Sequence, residues 1–417
     1  MPIPSEVVGS IPRPIKLQRA FAAYDAKQMQ VCAFEQLERE INAACEDTIR
    51  RMEDAGQLVV TDGEQGMCSF STYPLIDMLC GTGLAENLVV DGQVSMVPRT
   101  IFGSQLILFT DHGHHRQLPR LVSGPFRFKT FAADYLERGL RLAQHLMKQA
   151  VVAPSMLCLL YPTQSDIPGY TREQFLADVC NQCEMDIRKC FQAGAIRVSM
   201  DFTEGRLALR NNVRNPWTGE CLLDFFIDLN NRVINRFSAV ERAHIGVHAC
   251  PCGDWDSAYN HDMEFSYDQL LKEMFKINAG YFLIQCASEK DHNKVFKQIG
   301  KHIRRDANGV KQMAYIGVTT TTNPRVETPE EVAQMLIAAS KYIPPDQLGA
   351  TDGEYRTTAR AAQFAHLRAA IAVHPDCGFS PYYNDNHSKH DYARDIAFQK
   401  IAARVKGARI ASERLGI

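Results

Sequence analysis

The sequence lacks the features that mark membrane and secreted proteins. No uninterrupted apolar run approaches the roughly 20 residues that a bilayer-spanning helix needs. The opening segment MPIPSEVVGSIPRP also lacks the basic-then-apolar pattern of a signal peptide. These absences predict a cytoplasmic protein with no membrane partner.

An excess of charge of one sign is missing as well. The 46 basic and 48 acidic side chains leave a formal net charge of -2. Binding to nucleic acid through a basic surface depends on many Lys and Arg contacts to phosphate. We therefore expect no nucleic-acid partner.

The 13 cysteines show no short regular spacing along the 417 residues. Scattered cysteines in a long chain with cytoplasmic character are typical of reduced thiols, some of them buried and some available to a metal. The pattern excludes a disulfide framework.

No Gly-rich GxGxxG turn follows a strand, and no internal repeat or linker is visible. What is present is an alternation of short β-rich runs with helical patterns such as those at 171–194 and 328–343. The strand candidates are EVVGS near the start, QLVVTDGE (57–64), VVAPSML (151–157), IRVSMDF (196–202), HIGVHAC (244–250), YFLIQCAS (281–288), AYIGVTT (314–320) and QLGATD (347–352). Eight strands, each followed by a helix, predict a single α/β domain over residues 1–417, a (β/α)8 TIM barrel. A doubly wound sheet is the alternative.

The stretch 80–135 alternates polar and apolar residues and follows the second predicted strand. This alternation predicts an inserted β-hairpin. At that position in a barrel, such an insertion is expected to lie over the active face as a lid.

Polar residues stand at the ends of the predicted strands, where barrel enzymes carry their chemistry. They are Ser10, Glu64, Asp201 with Glu204, His248, Gln285 and the threonines from Thr319. Each could instead cap the helix that follows its strand. Their coincidence at one predicted face favours a functional site.

His248 and Cys250 form the sharpest local signal. Residues i and i+2 of a strand point to the same side, so an imidazole and a thiolate there can converge on one metal ion. Cys252 and Cys377 are candidates for completing the site. Buried, chemically inert thiols are the alternative interpretation.

These segments resemble the cobalamin-independent methionine synthase superfamily, and most of all its branch containing epoxyalkane:coenzyme M transferase, also called 2-hydroxypropyl-coenzyme M lyase. The resemblance covers nearly the whole chain. It rests on VGSIPRP, VTDGEQGMCSFSTYPL, HRQLPRLVSGPFRFKT, MDFTEGRLALR, GVHACPCGDWDS, NAGYFLIQCASEKD, GVTTTTNPRVETPEEV and PDCGFSP. It implies a (β/α)8 barrel with one catalytic Zn²⁺ held by His248, Cys250 and Cys377, to which a substrate thiol adds as a further ligand.

The resemblance also implies substrate contacts. Ser10 matches a position that holds the carboxylate of homocysteine in methionine synthases, and Glu64 and Asp201 resemble the acids that hold its amino group. Gln285 departs from those enzymes, which have a Glu near the metal, and we expect this chain to lack the folate-type barrel half that precedes theirs.

This sequence also differs from the family pattern in the segment before the third metal ligand, Cys377. Residues 353–375 separate the last predicted strand from Cys377 and have helical spacing. The sequence predicts an extra helical insert that returns the chain to the zinc. If the insert instead displaces Cys377, then Cys252 or Glu354 is the substitute.

Three functions are compatible with this sequence; the resemblance supports the first two, and the insert before Cys377 supports the third. In the first, a zinc-bound thiolate opens an epoxide or another carbon electrophile, which gives a thioether. Its alkoxide product takes a proton from Tyr73, His114 or His115, and the electrophile or thiol is held through a sulfonate or carboxylate by Arg116, Arg120 or Arg127. Surface or structural roles are the alternative for each of these side chains.

In the second function the electrophile is a methyl donor and the thiol is homocysteine. In the third, the barrel is a cyclase, an isomerase or a small-molecule binder without thiol transfer. The expected partners of the first two are a small-molecule thiol and a carbon electrophile, and the sequence leaves homo-oligomers open.

Overall fold

The computed structural model describes residues 1–26, 31–67, 73–74, 87–90, 93–96, 121, 123–162, 166–210, 214–249, 268–287, 289, 291–305, 309–321, 324–353 and 391–417. The strands are β1 (Val59–Val60), β2 (Asn87–Val90), β3 (Gln93–Met96), β4 (Leu146–Val152), β5 (Arg197–Asp201), β6 (Ile245–Ala249), β7 (Tyr281–Ile284), β8 (Met313–Thr320) and β9 (Leu348–Gly353). Seven of them form one parallel sheet in the order β1-β4-β5-β6-β7-β8-β9.

The N-terminal segment joins the two ends of this sheet. Ser5 forms a parallel bridge with Ala350 of β9, and Ala350 N–H donates to the Pro4 carbonyl at 2.8 Å. On the other side, the Thr61 hydroxyl after β1 donates to the Gly9 carbonyl at 3.0 Å. The sheet is therefore curled, as is consistent with a (β/α)8 barrel in which the N-terminal segment takes the place of the first strand.

Helices surround the sheet. They are α1 (Ile15–Ala26), α2 (Val31–Asp54), α3 (Ala132–Leu140), α4 (Pro154–Leu157), α5 (Arg172–Ala193), α6 (Glu204–Arg210), α7 (Leu222–Ile234), α8 (Ala239–Arg242), α9 (Asp268–Met274), α10 (His292–His302), α11 (Pro329–Ser340) and α12 (Tyr392–Leu415).

The two helices predicted from their sequence signals are confirmed. Thr171 and Thr328 cap α5 and α11 with reciprocal capping boxes, and Gly194 ends α5 in the left-handed region at φ 114°. Local sequence sets these helix ends because the capping side chains satisfy backbone N–H groups that the helix itself leaves free.

The main core lies between the sheet and the helices, and a second, small cluster lies inside the curl. Tyr281, Leu283 and Tyr315 form this inner cluster, separate from the outer core. Successive residues along a strand therefore point alternately to the inner cluster and to the outer core.

Two strand predictions need correction. The third strand runs over Leu146–Val152, earlier than the predicted 151–157, and Pro154–Leu157 is helical. The reason is that Pro154 occupies the first helical position, which suits its fixed φ. The segment EVVGS is not a regular strand either, although its neighbour Ser5 makes the bridge to β9.

The predicted hairpin is present where the structure describes it. Strands β2 and β3 pair antiparallel with Val90 opposite Gln93, and α3 begins at Ala132, inside the predicted 80–135 segment. The predicted lid over the active face depends on residues that lie mostly outside the described ranges. The predicted helical insert at 353–375 also lies outside them, apart from Gly353. Within those ranges, no helix has the length and apolar character to cross a bilayer.

Candidate functional site

The turn after β1 brings Glu64 against the N-terminal segment. Gly63 and Glu64 both have positive φ, 70° and 57°, and the Glu64 N–H donates to Asp62 Oδ1 at 2.9 Å. A Cβ added at Gly9 would lie 2.5 Å from Glu64 Oε1, so glycine leaves room for the carboxylate there. A non-glycine residue in the left-handed region is strained, and such strain concentrates at functional sites.

A hydrogen-bond network holds this turn. Gln65 Nε2 donates to the carbonyls of Ile11 and Gly63 at 2.8 and 2.9 Å. Arg394 of α12 donates to Gln65 Oε1 at 3.4 Å and to the Pro12 carbonyl at 2.8 Å. The C-terminal helix thereby supports the turn that carries Glu64.

His248 faces the inside of the curl. A side chain at Gly246 would overlap the ring of Tyr281, a member of the inner cluster, and His248 lies two residues further along β6 on the same side. Gln285 follows β7 and continues the alternation of Tyr281 and Leu283 toward the same interior. Strand register places His248 opposite Leu283, so His248 and Gln285 lie on neighbouring strands.

The polar atoms of these two side chains have no partners among the described residues. His248 and Gln285 are both 0% exposed. Neither ring nitrogen of His248 and neither amide atom of Gln285 has a hydrogen-bond partner within the described part of the chain. Burying polar atoms without partners is unfavourable, which points to a ligand at this position.

The imidazole of His248 is neutral near pH 7. Burial and, after it, the positive charge of Lys148 together lower its pKa to about 3, and the Leu283 backbone opposes this shift only in part. A neutral imidazole is the form that binds a metal ion.

A buried group of charges lies inside the same curl. Lys148 of β4 donates to Glu6 Oε1 at 3.2 Å and to the Val7 carbonyl at 2.7 Å, and Arg197 of β5 also pairs with Glu6. Burial alone would raise the pKa of Glu6, but Lys148 and Arg197 bring it below its usual value. Burial lowers the pKa of Lys148, against the attraction of Glu6.

The structure gathers several predicted site residues at one edge. Ser10, Glu64 and Asp201 are buried at 4 to 5% exposure; Ser10 and Glu64 lie in adjoining segments, and β4 separates them from β5, which carries Asp201. Asp201 ends β5, beside His248 in the strand register. The carboxyl ends of parallel strands meet at one edge, so these residues share a face with Gln285.

Other predicted residues lie elsewhere. The Tyr73 hydroxyl donates to Asp186 of α5 and accepts from the Val152 N–H at 3.3 Å, which favours a structural role over that of a general acid. Burial raises the pKa of Tyr73 well above its usual value. Arg127 pairs with Asp178 at 2.8 Å and is 47% exposed.

The remaining predictions fall on residues outside the described ranges. They are His114, His115, Arg116, Arg120, Cys250, Cys252, Glu354 and Cys377. Among the residues that the structure does describe, no group of three His, Cys, Asp or Glu side chains is placed to hold a metal.

Two buried polar residues were not singled out from the sequence by themselves. Lys148 is fully buried although lysine is usually exposed; its sequence signal is a lysine beside Gln149 within the otherwise apolar run LMKQAVV. Glu204 of α6, noted only beside Asp201, accepts a hydrogen bond from the Ser155 hydroxyl, and burial raises its pKa to about 8. The predicted strand boundary at 151 had left Lys148 outside the strand.

Comparisons with solved structures support the barrel. A B12-independent methionine synthase from Shewanella sp. W3-18-1, in complex with selenomethionine, has a TM-score of 0.66 and 16% identity over 100% of this chain and 99% of that one. A Listeria monocytogenes structure, provisionally assigned as a vitamin-B12-independent methionine synthase, has a TM-score of 0.62 and 15% identity over 98% of both chains. At these identities the likeness establishes the fold.

No protein-family model and no curated protein sequence matches the chain.

Proposed function

We propose that the chain is a zinc-dependent transferase that moves a methyl group or a related carbon group to the thiol of a small amino acid such as homocysteine. The observation that carries this proposal is the pair of fully buried polar side chains at the carboxyl edge of the sheet, His248 and Gln285, whose polar atoms have no hydrogen-bond partner among the described residues. The fold likeness to two structures of the methionine synthase type favours methyl transfer among the thiol reactions.

Zinc suits the described part of the site. The neutral imidazole of His248, which has no hydrogen-bond partner within the described ranges, offers a nitrogen donor, and by resemblance Cys250 and Cys377 would supply two thiolates. Bound zinc would deprotonate a substrate thiol and keep it as a positioned nucleophile at neutral pH.

The chain's own residues would bind and orient the thiol substrate. Ser10 would hold a carboxylate by donating its hydroxyl, and Glu64 and Asp201 would hold an ammonium group. Their burial favours this role, because a charged partner is bound more strongly where water is excluded. A thiol without an amino group would leave both acids unused.

Epoxide opening, the first expectation from the sequence, becomes the second candidate. Gln285 favours it, because a neutral amide stands where methionine synthases have an acid, as the resemblance implies. The thioether product distinguishes the two reactions: a methyl thioether from methyl transfer and a hydroxyalkyl thioether from epoxide opening. Mass spectrometry of the products formed from homocysteine with each electrophile separates them.

Metal content of the purified protein is the first test. We expect about one zinc per chain, lost or greatly reduced in His248→Ala and Cys377→Ala, since a site keeps little affinity after loss of a ligand. His244→Ala is the matched control, because His244 lies just before the same strand and should leave zinc unchanged.

Addition of homocysteine should then add a sulfur ligand in zinc-edge absorption. The transferase proposal would be refuted if the native protein contained no zinc. It would also be refuted if the zinc content were unchanged in both variants and homocysteine added no sulfur ligand. That result would leave a barrel that acts as a cyclase, an isomerase or a binder without thiol transfer.

A further inference from the structure

Gln285 is a neutral residue that faces an interior in which charged side chains are also buried. Inside the curl, Lys148 and Arg197 face Glu6, and Asp201 ends the strand beside His248. A carboxylate at 285 would add one more negative charge to this buried region, whereas the carboxamide adds none.

The carboxamide also offers what a carboxylate does not. Its Nε2 carries two N–H donors, and its Oε1 is an acceptor. All of these are unused by the described residues although the side chain is 0% exposed. An unused buried donor is suited to an anionic ligand, because hydrogen bonds to charged groups are stronger than those between neutral groups.

The geometry points to Gln285 as the residue that selects the charge of the ligand. Together with His248 it forms a site for an anion such as a thiolate, which binds at the proposed metal site and accepts a hydrogen bond from the neutral amide of Gln285. This inference rests on the proposed metal site and deepens it. It assigns Gln285 a role in ligand selection through a direct hydrogen bond and through its lack of charge.

The inference predicts different effects on anionic and neutral ligands. At Gln285→Glu, a new negative charge should repel a thiolate but leave a neutral ligand nearly unaffected. At Gln285→Met, which has a similar length and no donor, only the hydrogen bond should be lost. The binding of the thiolate should therefore be weakened less by Gln285→Met than by Gln285→Glu.

The test uses the full chain loaded with Co²⁺, whose visible absorption reports changes in its ligands. Two probes are titrated, 2-mercaptoethanol as the thiolate and imidazole as the neutral ligand. For Gln285→Glu we expect the Kd of the thiol to rise at least about tenfold and that of imidazole to change less than about threefold. Gln285→Met should raise the thiol Kd by a smaller factor.

Gln182→Glu is the matched control, because it places a carboxylate at a buried α5 glutamine whose Oε1 accepts from Phe128 N–H, away from His248. It should change neither Kd. Equal effects of Gln285→Glu on both probes, or no effect on either, would overturn the inference while leaving the metal site intact. Failure of the native chain to bind Co²⁺, or unchanged binding in His248→Ala, would overturn the proposed function and the inference together.

Discussion

Glu204 shows how burial changes the chemistry of one residue. Its side chain is 0% exposed and receives the Ser155 hydroxyl hydrogen bond, and burial raises its pKa from 4.5 to about 8. The carboxyl group is therefore largely protonated at neutral pH in the folded chain. The hydrogen bonds from Ser155 and from the backbone of Glu204 lower this pKa, but they do not offset the effect of burial.

This shift makes stability depend on pH. Between pH 4.5 and about 8 the folded chain binds more protons at Glu204 than the unfolded chain, so the free energy of unfolding falls as pH rises through this window. Glu204→Gln keeps an acceptor for Ser155 and removes the titration. We expect this variant to gain stability relative to the native protein from pH 5 to pH 8, by about 1 kcal/mol or more per pH unit.

Urea unfolding at several pH values measures this difference. The control is Glu173→Gln, at an exposed residue in the first turn of α5. A constant difference between Glu204→Gln and native protein across the pH range would contradict the expectation.

At the scale of single elements, the turn after β1 links local strain to a candidate substrate contact. Glu64 keeps a positive φ because Gln65, Ile11 and Arg394 hold the neighbouring backbone. The close approach of Glu64 Oε1 to the Gly9 Cβ position makes Gly9 part of the same unit.

Gly9→Ala tests this unit. Its added methyl group should push the Glu64 carboxylate away and destabilise the fold by roughly 1–3 kcal/mol, the usual cost of overpacking. We expect the KM for homocysteine to rise several-fold while that for a thiol without an amino group stays within about twofold, because only the ammonium needs Glu64.

Glu64→Gln is the companion variant, since it keeps the size of the side chain and removes its charge. It should reproduce the effect on KM with little loss of stability. Equal changes in KM for both thiols would remove Glu64 from ammonium binding.

At the scale of the whole molecule, contacts between the two ends of the chain hold the two edges of the curled sheet together. Arg404 of α12 is 0% exposed and pairs with Asp352 at the end of β9. It also donates to Ser5 Oγ at 2.9 Å and to Gln57 Oε1 at 3.1 Å. One guanidinium thus joins the C-terminal helix to the N-terminal segment and to the last strand.

Arg404→Met should destabilise the chain by about 3–5 kcal/mol, since it leaves the buried Asp352 carboxylate without its cation. Arg414→Met is the control on the same helix, because Arg414 and Glu330 are 49% and 46% exposed and such pairs contribute about 0–1 kcal/mol. Urea midpoints at pH 7 measure both. Equal, small losses would show that closure does not depend on this ion pair.

Local sequence was enough to predict much of the fold. The capping residues Thr171 and Thr328 and the terminating Gly194 gave two helices their ends. The alternation of strands and helices predicted the parallel sheet, and the placement of Asp201, His248 and Gln285 at strand ends followed from it. These signals are local because a cap, a turn or a strand period involves residues only a few positions apart.

The sequence by itself determined the order of elements and the polar character of the face where strands end. Only the tertiary structure decided that the N-terminal segment lies between β1 and β9, that Lys148 is buried against Glu6, and that Tyr73 bonds Asp186. It alone buried His248 and Gln285 on neighbouring parts of the sheet without hydrogen-bond partners among the described residues. Such facts depend on contacts between residues far apart in the chain, whose positions become fixed only when the whole sheet curls and the helices pack around it.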